Sequence, residues 1–134
     1  MFLLDTCVLS EARRRTPAAV AWLAGSDPSK QYVSAISIGE FAKGIALRSR
    51  KDPIAAASLS NWLDNLRQQF IERILPIDET IAIAWGQMMA ARTLPIADAL
   101  IAATARTHAL VLVTRNVADF VGTGVEIVNP WVNA

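Results

Sequence analysis

Four carboxylates fall where chemistry could be done: Asp5, Glu40, Asp98 and Asp119. Asp5 directly follows the short apolar run Phe2-Leu3-Leu4, and Glu40 falls in the first turn of a helix expected after a second apolar run. Asp98 lies one turn inside a helix that Pro95 opens, and Asp119 lies in the connection after Val111-Leu112-Val113. In an open parallel α/β sheet, ligands bind in the crevice outside the carboxyl ends of the strands, where polar residues of this kind collect. If the four side chains converge, each close pair repels by about 4 kcal/mol at a separation of about 4 Å and an effective dielectric of about 20, so a cation has to share the site. Carboxylates unaccompanied by Cys or His select a hard ion, Mg2+ or Mn2+, which retains waters and binds substrate phosphates. The chemistry this points to is phosphodiester hydrolysis, with the ion activating water and neutralising charge on the leaving oxygen.

Each acid also has a plainer explanation, because acidic residues are ordinary near helix N-termini. Ser37-Ile38-Gly39-Glu40 matches a capping box, in which the two end residues satisfy each other's free backbone amides. Asp5 can cap the helix that follows it, Asp98 can complement a helix dipole, and Asp119 can close a turn before Phe120. Their joint placement is what favours a site. Other chemistries fail on particular residues: there is no glycine-rich phosphate loop followed by Lys and no G-x-G-x-x-G. The single histidine, His108, sits near a helix end, and no lysine follows Lys51, which removes the late-strand lysine of a phosphoacceptor domain. Cys7 occupies the second position of what would be an Asp-x-Asp phosphatase pair. As the sole cysteine it cannot form an internal disulfide, and it reads as structural.

The elements that must position these acids alternate along the chain. Phe2 to Leu4 reads as a strand, the segment to Arg15 as a short helix, and Pro17 to Ala24 as a helix with Pro at N1 and Gly25 closing it. Gln31 to Ala35 reads as a second strand, Ser37 to Arg48 as a helix, and Pro53 to Phe70 as a longer helix with Leu59, Leu63, Leu66 and Phe70 on one face. Arg73 to Ile77 is a third strand, Asp78 caps a helix carrying Ile81, Trp85, Met88 and Met89, and Pro95 opens one that runs to about His108. Ala109 to Thr114 and Val125 to Val128 complete the strands. Strands that are continuously apolar and alternate with helices predict an α/β fold of three layers, a mostly parallel central sheet of four to five strands flanked by helices.

The 134 residues, 53% of them hydrophobic, suit one domain spanning 1–134. No apolar run is long enough to cross a bilayer and the N-terminus lacks a signal peptide's pattern, so a cytoplasmic location away from membranes is expected. The net charge of +1 is far from that of a duplex-DNA-binding protein. Two basic groups are local: Arg13-Arg14-Arg15, and Lys43, Arg48, Arg50 and Lys51. They can meet phosphates, or serve as solvated faces and helix C-terminal charges.

Four segments in order resemble the PIN-domain nucleases, and among them the VapC-type toxins: Phe2 to Glu11, Ser34 to Glu40, Ile96 to Ala105, and Val113-Thr114-Arg115-Asn116 through Asp119-Phe120, with Asn129-Pro130-Trp131 matching as well. The resemblance implies a PIN-like fold and an endoribonuclease toxin held inactive by a cognate antitoxin, forming homodimers and meeting DNA only through that antitoxin. It makes Asp5, Glu40 and Asp98 the family's acids, with Asp5 and Asp98 the ligands of Mg2+, for which Mn2+ substitutes. Some members carry Asp where this chain has Asn116, so either Asn116 binds through its amide oxygen or Asp119 substitutes, through water. Thr114 would orient this loop, and Arg115 would meet phosphate or pair with an acid. Cys7 stands where the family more often shows Asn. The apolar helices around Trp62 and Trp85 are either core or part of a dimer face or antitoxin groove. The alternative to an enzyme is a catalytically silent module of the same fold that binds RNA or protein.

Overall fold

The computed structural model describes residues 1–132. Five strands form one sheet: β1 (Phe2–Leu4), β2 (Gln31–Ser34), β3 (Ile74–Leu75), β4 (Val111–Val113) and β5 (Ile127–Val128). Their order is β3-β2-β1-β4-β5, and every pairing is parallel. Six helices accompany them: α1 (Thr6–Arg13), α2 (Pro17–Ala24), α3 (Ala35–Ser49), α4 (Pro53–Gln69), α5 (Glu79–Ala91) and α6 (Ile96–Thr107).

Two hydrophobic cores follow from the period of two along each strand. Leu3 and Leu112 point to one face and pack with Ile81 and Met88 of α5 and with Ala99, Ile101 and Ala102 of α6. Leu4, Val33 and Val113 point to the other and meet Val8 of α1 and Leu63 and Leu66 of α4. Because both faces are covered, the strands carry no solvent-facing alternation, the pattern expected of a parallel sheet. Each such side chain stabilises the fold by about 2 kcal/mol relative to exposure. Trp62 and Trp85 are both half-buried against these cores, Trp62 with its ring edge-on to Phe41 at 4.8 Å.

The departures from expectation lie at element ends. Two helices stop earlier than the apolar pattern implies, each through a residue with left-handed backbone, Arg15 (φ 60°) after α1 and Ala109 (φ 53°) after α6. In both, the next residue's N–H reaches back five positions, Thr16 to the Glu11 carbonyl (3.0 Å) and Leu110 to that of Ala105 (2.8 Å), so both ends are Schellman motifs lacking the usual glycine. Pro95 is the N-cap of α6 rather than its first residue. The third and fifth strands shrink to two residues each, since they lie at the sheet edges and pair on one side only.

Candidate active site

The chain runs from β1 to β2 on one side of the sheet and returns at β4 on the other side of β1, so the strand order reverses about β1. The crevice at the carboxyl ends of β1 and β4 is therefore the topological switch point, where such sheets bind ligands. Asp5 ends β1 there, and its N–H donates to the Val113 carbonyl of β4 at 3.0 Å. Its side chain is 4% exposed and fully engaged. Thr6 N–H donates to Oδ1 at 2.8 Å, which makes Asp5 the N-cap of α1, and the Thr114 hydroxyl donates to Oδ2 at 2.8 Å. Capping and site placement are thus one arrangement.

Thr114, completely buried, is the pivot of the β4 connection. It accepts from Asn116 N–H at 3.0 Å while donating to Asp5, so the loop following β4 is tied to the carboxylate at the end of β1. The Cys7 thiol lies 3.5 Å from Asp5 Oδ2, and burial, followed by the adjacent Asp5 charge, pushes its pKa up. Burial also raises the Asp5 pKa, against the opposing hydrogen bonds from Thr114 and Thr6.

Glu40 requires a correction. Helix α3 starts at Ala35, two residues earlier than its sequence suggests, with Ser34 as N-cap accepting from Ile36 N–H at 3.1 Å. Ser37 and Glu40 therefore lie inside the helix, Glu40 in its second turn, and form no capping box. Both turn to Thr6 instead. The Thr6 hydroxyl donates to Glu40 Oε1 at 2.7 Å and lies 2.8 Å from the Ser37 hydroxyl. With its own proton committed to Glu40, Thr6 must accept from Ser37. Thr6 and Ser37 are the residues of this candidate site that the sequence did not mark as such. The only local signal was a hydroxyl beside Asp5, and its partners lie 31 and 34 residues away.

Asp98 occupies the first turn of α6, half-exposed, and its pKa is raised to about 6 by burial and then by the charges of Asp5, Asp119 and Glu40. All four predicted acids are thus close enough for Asp98 to feel the other three. Asp119 reaches the group from the 3-10 turn Val117–Phe120, and Asn116 stands exposed at the start of that turn with its side chain uncommitted as a cap. Arg115 turns away from the acids to pair with Glu11 at 3.8 Å and lies over the Trp131 ring at 5.3 Å. It takes an acid as partner, the second of its two expected roles.

Among the described residues, none of the four acids has an ion-pair partner. Nor do any three groups drawn from His, Cys, Asp and Glu stand close enough to hold a metal ion alone. The donor set is nonetheless that of a hard ion, all carboxylate and without counter-charge. An ion held by two carboxylates and completed by water and phosphate is the ordinary arrangement for Mg2+.

A parallel sheet with uncompensated acids at its switch point defines an acid-site α/β domain. Residues 2–120 match the family model described as PIN domain, and the chain belongs to that family. It is 36% identical to the toxin FitB of Neisseria gonorrhoeae, covering 98% of this chain and 99% of FitB. It is 30% identical to the VapC ribonuclease Y4jK of Sinorhizobium fredii, covering 98% of each chain. The crystal structure of FitAcB from Neisseria gonorrhoeae superposes with a TM-score of 0.89 at 35% identity, over 98% of this chain and 99% of that one.

Proposed function

We propose that this chain is a Mg2+- or Mn2+-dependent endoribonuclease acting as the toxin of a toxin-antitoxin pair. The observation that carries the reading is the gathering of Asp5, Glu40, Asp98 and Asp119 at the switch point, electrostatically coupled and without a protein cation. Relatives named toxin and VapC ribonuclease supply the substrate class.

Asp5 and Asp98 would hold the ion, whose chemistry when bound is to activate water and offset charge on the scissile phosphate. The hydrogen bonds from Thr114 and Thr6 fix the Asp5 carboxylate and keep both its oxygens from swinging away. Thr6, fixed in turn by Ser37, aims Glu40 at the same crevice, where its carboxylate accepts a proton or orients water. Asp98 must release its proton to bind a cation, so metal affinity should fall as the pH drops below about 6. Asp119 acts from the rim, through water, and Asn116 offers an amide oxygen beside it.

The same reading makes residues 1–134 one cytoplasmic domain, homodimeric and neutralised by an antitoxin that alone contacts DNA. No helix of the described residues is long and apolar enough to cross a membrane. The test is cleavage of RNA with and without EDTA, alongside folded Asp5→Asn and Asp98→Asn. Activity should vanish in all three conditions, and activity that survives any of them overturns the mechanism. If calorimetry detects no Mg2+ or Mn2+ binding while RNA still binds, the chain is a silent binding module.

A further inference from the structure

Three arginines from two distant segments line one groove that also includes Glu40. Arg13 ends α1, Arg14 caps it, and Arg48 lies in the last turn of α3. The groove between α1, α3 and α4 has a volume of about 280 Å³, and its lining includes the aromatic rings of Phe41 and Trp62 as well as Glu40. Arg14 pairs with Glu11 at 3.4 Å, whereas among the described residues Arg13 and Arg48 have no acidic partner. Along its helix axis, the Arg13 backbone lies about 10 Å from Thr6 and the Arg48 backbone about 12 Å from Glu40, at about 1.5 Å per residue.

Resting on the ribonuclease reading, we infer that this groove is a phosphate track for single-stranded RNA, with Arg13 and Arg48 holding the backbone to one side of the cleaved bond. The charge balance requires such a feature. A polyanion must approach four carboxylates on a chain whose net charge is only +1, so attraction has to be local. The two free guanidiniums stand on the helices that carry Thr6 and Glu40, one groove length from the acids. Helix C-termini favour these arginines where they stand, but that effect does not require both to face one groove. An aromatic floor beneath a basic rim is also the general form of a single-strand channel.

The test uses the full chain with Arg13→Ala, Arg48→Ala, the double variant, and Arg67→Ala as a control outside the groove. All three positions are exposed, so folding should be retained. Binding of a fluorescent single-stranded RNA is followed by anisotropy in EDTA, and cleavage of the same RNA with Mg2+. Each lost phosphate contact should weaken binding about fivefold at about 0.1 M salt, and the double variant should lower the slope of log K against log salt by about 1.4. KM should rise in parallel with kcat nearly unchanged, and Arg67→Ala should match the wild type. If the wild type binds and cleaves RNA while the double variant keeps its affinity and salt slope, the track is refuted and the groove is left for a protein partner. If the wild type does neither, the ribonuclease reading falls and the track with it.

Discussion

Replacing Asp98 by Asn should make the metal-free protein more stable, although it removes a residue proposed to be essential. The side chain is the neutral shape of a carboxyl whose charged form is disfavoured, first by burial and then by Asp5, Asp119 and Glu40. A pKa lifted from 3.8 to about 6 is worth about 3 kcal/mol at about 1.4 kcal/mol per pH unit, taken at face value. Asp98 is half-exposed, so solvent screening leaves about half of this. Its place in the first turn of α6 returns about 0.5 kcal/mol to the charged form through the helix dipole. About 1 kcal/mol remains, or about 3 °C in Tm for a domain of this size. The sign with pH follows from the raised value. Below about pH 3.8 the wild-type carboxyl is protonated in both states and the two proteins should melt together. Between 3.8 and about 6 the wild type loses stability as its unfolded state ionises first, and above that the gap is constant. Melting curves in EDTA from pH 3.5 to 8 measure it, and saturating Mg2+ should close or reverse the gap by binding only the wild-type site. A variant less stable than wild type at pH 8, or a gap that ignores pH, would refute the claim that burial and the other three acids disfavour the charged form of Asp98.

Thr114→Val keeps the shape of a buried side chain but removes the donor to Asp5 and the acceptor for Asn116. It should cost about 2 kcal/mol in denaturant unfolding and weaken Mg2+ binding in calorimetry by about tenfold or more. Cys7, its thiol pushed up by burial and by Asp5, should react with iodoacetamide at pH 7.5 more slowly than free cysteine, and faster in Asp5→Asn; mass spectrometry of the adduct over time decides this. Ala109→Gly should raise stability by about 0.5 to 1 kcal/mol, because the residue closing α6 holds φ at 53°. A thermal melt that falls for this substitution would show that the left-handed assignment is wrong.

Much of the design is written locally and can be read without coordinates. Continuous apolar runs at Phe2-Leu3-Leu4 and Val111-Leu112-Val113 specify strands buried on both faces, and their alternation with amphipathic helices specifies a parallel α/β sheet, because covering both faces of such strands takes helices on each side. Asp78, Pro17 and the Leu63-Leu66-Phe70 face likewise act within a turn or two of themselves, and they sit in the structure as their sequence predicts. The four acids were legible for the same reason, each being marked by its place after a strand or near a helix start.

Contacts decided only by tertiary structure were not legible. Ser37 and Glu40 satisfy a local capping rule, yet Ser34 takes the cap and frees both for Thr6, a partner more than thirty residues distant whose competing bond no local pattern records. The two basic groups look like unrelated helix ends until the fold brings Arg13 of α1 and Arg48 of α3 to the lining of one groove. Helix ends at Arg15 and Ala109 carry no glycine signal, so the backbone hydrogen bonds that stop them appear only once the following segments turn into the sheet. Sequence determined which residues could act, through charge, burial and period. The fold determined which of them act together, because side chains on different elements meet only where the strand order about β1 brings those elements to one edge.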